Sequence, residues 1–269
     1  MRIRHAAVAG QFYPDDPDTL RGILSRMISR SEDPVRVIGV VAPHAGYIYS
    51  GGVAGKAYGL IQIPRTVIIL CPNHHGVGAP VAVSAADAWE TPLGVVPLDT
   101  GLAERILSHP SGEVVSDDLP HLREHSLEVH LPFLQFLRPD VEIVPISLGF
   151  GDAGRVGSLA TILAEVVSAS TEPVLIVASS DMTHYESADA ARVKDQLAID
   201  RFRALDPEGL VSVCRRHRIT MCGVIPAAVM LKTAILLGAR RADLIAYSTS
   251  GDVTGDHRQV VAYAALTVR

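Results

Sequence analysis

Residues 67–76 read VIILCPNHHG, an apolar run of strand length that is followed directly by polar residues and two adjacent histidines. Val and Ile favour strands, and a run without polar alternation is typical of a strand buried on both faces of a sheet. In open α/β sheets, ligands bind beyond the carboxyl ends of the strands. This stretch therefore predicts both a fold class and the place where a functional site would lie.

The rest of the chain alternates strands with helices in the same way. Runs rich in Val and Ile predict strands at 37–42, 66–71, 141–148, 173–178, 243–247 and 259–267. Apolar residues three and four apart predict helices at about 16–30, 52–62, 99–109, 153–169, 189–204 and 223–237. The segment 80–98 predicts an antiparallel hairpin that turns at Thr91, Pro92 and Gly94. We expect an α/β fold, one domain over residues 1–269, with a central, mostly parallel or mixed sheet flanked by helices.

Composition and charge narrow the classes of function. The 269 residues are 48% hydrophobic and 20% charged, as in ordinary globular proteins. The net charge is -5 with scattered basic residues, which argues against a nucleic-acid surface. The start of the chain does not resemble a signal peptide, and no apolar stretch approaches the roughly 20 residues of a membrane span. Three cysteines without CxxC spacing fit a reducing compartment. We expect a cytoplasmic protein that binds neither nucleic acid nor membrane.

Two further predicted strands are followed within a few residues by a histidine. These stretches are VVAPHAGYIYSGG at 40–52 and LIVASSDMTHY at 175–185. If the strands are parallel, His44, Asp181 and His184 converge at one edge of the sheet with His74 or His75. Neighbouring side chains on extended backbone point in opposite directions, so one of the adjacent histidines is a candidate metal ligand and the other its support.

The segment REHSLEVHLPFLQFL at 123–137 adds two histidines and two glutamates to an amphipathic run. His125 and His130 are five residues apart, about 140° around a helix, so they do not form the HExxH zinc arrangement. The segment is interpreted either as a helix lining a cleft with its polar edge or, for Glu124 and Glu128, as solvated or capping charges.

The glycine-rich stretch GYIYSGGVAG at 46–55 matches neither GxGxxG nor GxxxxGK[ST], so it gives little support for phosphate binding. Glycines at this spacing more readily allow the backbone to pass close to a ligand or to another segment.

Cys222 precedes an apolar helix whose first turn can accommodate Pro226. A thiol at a helix N-terminus is expected to have a depressed pKa, which suits a metal ligand or a nucleophile. The alternative, a small buried hydrophobic side chain, is open for Cys222 and expected for Cys71 and Cys214.

Five motifs occur in order along nearly the whole chain and together resemble the Memo family. They are PHAGYIYSG at 43–51, PNHH at 72–75, EHSLEVHLPFL at 124–134, SSDMTHY at 179–185 and MCG at 221–223. Prokaryotic members are also called AmmeMemoRadiSam system protein B. The family is similar in fold to the class III extradiol dioxygenases, which implies an α/β sheet flanked by helices.

The resemblance implies a role for individual residues. His44, His75 and Cys222 match the metal-binding trio of the family, and Asp181 and His184 line the same pocket, with His184 in the position of an acid/base. A thiolate in place of the carboxylate of the dioxygenases favours softer metals and alters the electronics of iron. The implied cofactor is iron (Fe2+) or copper, with zinc as a weaker alternative.

A metal-binding redox protein, dioxygenase-like and acting on an unknown small molecule, is therefore the leading hypothesis. Two other functions stay open: a non-catalytic protein that binds a peptide or partner in the same cleft, and a zinc-dependent hydrolase. The family's prokaryotic name also implies radical-SAM and AMMECR-type pathway partners.

Overall fold

The computed structural model describes residues 1–149 and 154–269. The strands within these residues are β1 Ile3–Arg4, β2 Gly39–Ala42, β3 Thr66–Pro72, β4 Val81–Val83, β5 Ala88–Thr91, β6 Gly94–Pro97, β7 Val115–Ser116, β8 Glu142–Leu148, β9 Val174–Ser179, β10 His184–Glu186, β11 Ala242–Thr249 and β12 Val260–Val268. The helices are α1 Pro17–Met27, α2 Tyr47–Leu60, α3 Thr100–Leu107, α4 His125–Glu128, α5 Leu131–Leu137, α6 Arg155–Ser168, α7 Ala188–Arg203, α8 Pro207–His217, α9 Val224–Leu236 and α10 Gly251–Thr254.

A nine-stranded mixed sheet forms the centre of the molecule. Its order is β10-β12-β2-β9-β3-β8-β4-β7, with β11 paired to β12. The four central strands β2, β9, β3 and β8 are parallel, whereas β12 and β4 join them antiparallel. The predicted α/β class is confirmed, and the six predicted strands are present with ends shifted by one or two residues.

Side chains of the central strands supply two cores, one on each face of the sheet. On one face Ile68 packs in a cluster with the apolar residues of α9. On the other face Ile69 packs in a cluster with Tyr58 of α2. Because alternate residues of β3 enter opposite cores, all seven of its residues are buried, as the uninterrupted apolar run predicts.

The predicted hairpin over 80–98 is confirmed only in its second part. Strands β5 and β6 pair antiparallel and join β1 in a separate three-stranded sheet. The first part, β4, instead extends the main sheet by pairing with β8.

The six predicted helices are also present, and residue 153, where one of those predictions begins, lies outside the described residues. Helix α8, Pro207–His217, was not predicted. Its sequence signals were a capping Asp206, whose side chain accepts from the Gly209 N–H, and Pro207 in the first turn.

Helix α2 packs closely against the end of α1. A Cβ on Gly55 would overlap the Met27 carbonyl oxygen, and one on Gly59 would overlap the Ser29 carbonyl oxygen. These glycines therefore allow two backbone segments to approach closely. This is one of the two roles expected from the glycine-rich stretch, the other being close approach to a ligand.

None of the helices within the described ranges has the length and apolar character that a bilayer crossing requires.

Candidate metal centre

Three parallel strands end side by side at one edge of the sheet. β2, β9 and β3 are neighbours in register, and the residues beyond their ends include His44, Asp181 and His74. The convergence expected from the sequence is confirmed for these segments.

Three histidines meet at this edge. His44, His74 and His125 each offer a ring nitrogen, and these atoms lie within 4.8 Å of one another. Their ring centroids are 4.7 to 5.4 Å apart. Imidazole nitrogens gathered at this separation can hold a single metal ion. The group therefore constitutes a candidate metal site.

The structure places His74, and not His75, in this group. The exposed His75 points away, and its Nε2 lies 3.1 Å from the Arg123 carbonyl oxygen. Adjacent side chains diverge here, so only one of the two can face the cleft. His75, the ligand implied by the resemblance, therefore lies outside this group of three histidines, and His74 lies within it.

Glu124 orients His74. Its buried carboxylate accepts from the backbone N–H of His74 at 2.7 Å and lies 2.8 Å from His74 Nδ1. Burial raises the pKa of Glu124, but hydrogen bonds from His74 and Ser126 outweigh it and hold the pKa at about 2. A carboxylate can only accept, so Nδ1 of His74 carries a proton, and Nε2 is the ring nitrogen left for a metal. Carboxylate support of this kind is common behind metal-binding histidines.

Glu124 also places His125. Its side chain caps α4 by accepting from the backbone N–H of Ser126 at 3.0 Å, which fixes His125 as the first residue of that helix. Burial lowers the pKa of His125 to about 4 and that of His44 well below its usual value. Both rings are therefore neutral near pH 7, the form that binds metals.

Cys222 lies beside His44. Its Sγ is 3.3 Å from His44 Nε2 and accepts from the backbone N–H of Asp181 at 3.2 Å. Burial, followed by the charge of Asp181, raises the pKa of the thiol, so the depressed pKa expected from the helix N-terminus is wrong. The loop reaches this place because Gly223 lacks a Cβ, which would overlap the Ser179 carbonyl oxygen.

Asp181 and His184 border the same cleft. Asp181 Oδ1 accepts from the backbone N–H of His44 at 2.8 Å, and burial raises the pKa of Asp181 to about 7. His184 Nδ1 lies 3.1 Å from the Thr220 carbonyl oxygen and donates to it, which leaves Nε2 available. Burial lowers the pKa of His184.

A cavity of about 1330 Å³ opens over these residues. Phe12, Tyr49, Ile225 and Tyr263 are among its apolar walls, while His44, His74, His125, Asp181, His184 and Cys222 line its floor. Arg215 is the one arginine or lysine among the described lining residues. The cavity thus combines a polar reactive end with a mainly apolar volume.

Sequence reasoning missed the place of His125 in the cluster and the supporting role of Glu124. The HExxH template asks for two ligands on one helix, whereas these histidines come from three separate segments. A usable signal was the acidic residue directly before His125, because a capping carboxylate at a helix start can also reach a neighbouring imidazole.

Fold and site together define an α/β protein with a histidine-rich cleft, able to hold a metal, at the carboxyl edge of its sheet. A family model described as Memo-like protein matches residues 4–267, and the chain belongs to this family. A MEMO1 family protein of Aquifex aeolicus is 44% identical over 268 residues, covering 99% of each chain. One of Methanosarcina barkeri is 43% identical over 269 residues, covering 99% of this chain and all of that one.

A solved structure supports the fold. The uncharacterized protein JW3007 of Escherichia coli K12 matches with a TM-score of 0.54 and 13% identity, covering 85% of this chain and 99% of that chain.

Proposed function

We propose that this protein is a metal-dependent redox protein that binds iron or copper with His44, His74 and His125, and with Cys222 as a further ligand. The single observation that carries the proposal is the approach of the three histidine ligand atoms to within 4.8 Å. Cys222 Sγ, 3.3 Å from His44 Nε2, adds a soft donor at the same place.

The chemistry of the donors fits such a metal. Imidazole suits iron, copper and zinc, and a thiolate ligand favours copper(I), zinc or iron in sulfur-rich surroundings. The thiol has a raised pKa, so metal binding would have to displace its proton, and affinity would rise with pH. When bound, iron or copper would supply one-electron chemistry with dioxygen.

The chain's own residues would provide substrate binding and proton handling. Asp181 holds the His44 segment through its backbone N–H. His184, fixed through Nδ1 on the Thr220 carbonyl oxygen, has Nε2 free to give or take a proton. We therefore assign His184 as the acid/base and Asp181 as a catalytic partner at the cleft.

The apolar walls favour an uncharged small molecule as the substrate. A phosphopeptide would need several arginines or lysines around the cleft, and Arg215 alone among the described lining residues offers such a charge. This supports the small-molecule reaction over peptide binding. Radical-SAM and AMMECR-type proteins remain proposed partners in a shared pathway.

The test is metal analysis of protein purified without oxygen, before and after addition of Fe(II), Cu(I) or Zn(II). The adjacent histidines offer a matched pair of variants: His74→Ala should lose the metal, and His75→Ala should retain it. A wild-type protein that stays empty with every metal would overturn the proposal.

Oxygen uptake then separates redox chemistry from hydrolysis. Iron- or copper-loaded protein should consume dioxygen in the presence of a reductant, and His184→Gln should slow this uptake while keeping the metal. Binding of zinc alone, with no oxygen uptake by any loaded form, would favour the zinc-dependent hydrolase.

A further inference from the structure

Ser179, the last residue of β9, lies at the centre of three buried hydrogen bonds. Its Oγ is 2.5 Å from the Ser126 carbonyl oxygen, 2.7 Å from His44 Nδ1 and 2.8 Å from His130 Nε2. Ser179, His44 and His130 are all buried, so water does not compete for these bonds. The three partners leave little freedom for the single hydroxyl proton.

The location of that proton follows from the donors and acceptors present. A carbonyl oxygen can only accept, so the hydroxyl of Ser179 donates to Ser126. Its oxygen must then accept from both imidazoles. His44 is therefore protonated at Nδ1, and its Nε2, which faces Cys222, keeps a lone pair.

His130 completes the arrangement without being a ligand. Its Nε2 donates to Ser179, and its Nδ1 lies 3.0 Å from the Tyr58 hydroxyl, which donates to it. Both ring nitrogens are occupied, which explains why this buried histidine lies outside the cluster formed by His44, His74 and His125.

We propose that Ser179 is a positioning residue that fixes His44 in the tautomer with a free Nε2 lone pair, and that His130 and Tyr58 hold the Ser179 hydroxyl in place. An imidazole without such a partner populates both tautomers, and one of them carries a proton on the nitrogen needed for the metal. Ser179 would do for His44 what Glu124 does for His74, with a neutral hydroxyl in place of a carboxylate. The effect on metal affinity rests on the proposed function, whereas the tautomer does not.

Nuclear magnetic resonance of metal-free protein labelled with nitrogen-15 in its histidines tests the tautomer directly. Long-range proton–nitrogen correlations report which ring nitrogen carries the proton, and single His→Gln variants assign the signals. We expect His44 to be protonated at Nδ1 and His130 at Nε2. Protonation of wild-type His44 at Nε2 would overturn the proposal. This NMR measurement requires neither a metal nor a substitution at Ser179.

Variants of Ser179 test the consequence. Ser179→Ala should let His44 populate the other tautomer and should weaken metal binding by about 10- to 100-fold in competition with a chelator. Ser179→Thr keeps a hydroxyl and should restore both the original tautomer of His44 and the metal affinity. Ser147→Ala is the matched control, because Ser147 is a buried serine of β8 whose hydroxyl is bonded to no described histidine.

The outcomes separate this proposal from the metal assignment. If Ser179→Ala leaves the His44 tautomer unchanged, Ser179 is only a structural residue, whatever happens to affinity. If wild-type protein binds no metal while His44 and His130 show the expected tautomers, the tautomer proposal stands and the proposed function fails.

Discussion

Glu124 and Glu128 lie one helical turn apart in α4 and its cap, and both are completely buried, yet their carboxylates bind different segments of the chain. The carboxylate of Glu124 faces the cleft and accepts from the ring and backbone of His74. The carboxylate of Glu128 instead accepts from the Arg4 guanidinium and, at 2.6 Å, from the Tyr13 hydroxyl.

The two glutamates show that burial of a charge does not by itself identify a functional site. Glu128 also accepts from the backbone N–H groups of Ala7 and Val8, at 2.8 and 3.0 Å, so it ties the start of the chain to α4. Every oxygen of both carboxylates is bonded, as buried charges require. What distinguishes them is the partner: an imidazole that can bind metal for Glu124, and a guanidinium that cannot for Glu128.

The largest expected effect is on stability, from Glu128→Gln. This change removes the charge that compensates the buried Arg4, and breaking a buried ion pair in this way costs about 3–5 kcal/mol. Urea unfolding followed by circular dichroism should show that loss. Glu142→Gln is the control, because its ion pair with Arg65 is at the surface and should contribute far less. Equal losses in the two variants would contradict the assigned role of Glu128.

The contrast between these regions also explains what the sequence could predict. The strands were predictable because each central strand is buried on both faces and so reads as an apolar run, as in 66–72. The edge carrying the site followed from the rule for parallel strands. These features depend on local patterns that repeat along the chain.

The partners were not predictable, because they depend on contacts between distant segments. Arg4 and Glu128 are 124 residues apart in sequence, and His74 and Glu124 are 50 apart. The choice between His74 and His75 depends on a turn after β3 whose geometry the pattern does not fix. The raised pKa of Cys222 depends on burial by surrounding elements, which outweighs its position before α9.

Glu124→Gln should act on the metal rather than mainly on the fold. A neutral amide supports the His74 ring less well than a carboxylate, and loss of such a partner weakens metal binding by about 10- to 100-fold, up to about 2.7 kcal/mol. Chelator competition measures this loss. Glu128→Gln, assayed in conditions where it is folded, should bind metal as the wild type does. Similar affinity losses in both variants would remove the distinction between the two glutamates.

The part of the fold around Arg4 and His121 should also lose stability in acid, because His121 is a buried imidazole. This ring is buried, and its Nε2 donates to the Ala82 carbonyl oxygen at 3.0 Å. Burial lowers the pKa of His121 to about 4 from its usual 6.5. Between these values the unfolded chain binds more protons than the folded one, so this contribution to stability is complete above pH 6.5 and is lost as the pH falls towards 4.

His121→Gln should remove this part of the pH dependence. From the shift, the wild type should lose about 1.5 kcal/mol more than the variant between pH 6.5 and pH 5, in urea unfolding at each pH. His5→Gln, at an exposed histidine, controls for the loss of an imidazole. Parallel pH profiles for wild type and His121→Gln would show that the buried ring does not contribute.

The smallest expected effect comes from Tyr13→Phe, which removes one of the four donors to Glu128 while keeping the aromatic packing against Tyr47. A hydrogen bond to a charged group contributes about 1.5 kcal/mol or somewhat more, and the Arg4 ion pair remains. Tyr49→Phe, at the cavity, is the matched control. Combining Tyr13→Phe with Glu128→Gln gives a double-mutant cycle in which the two losses should be clearly non-additive, because both act on one carboxylate. Additive losses would mean that Tyr13 stabilises the start of the chain independently of Glu128. The carboxylate of Glu128 would then not be what ties the start of the chain to α4, and this contrast with Glu124 would be lost.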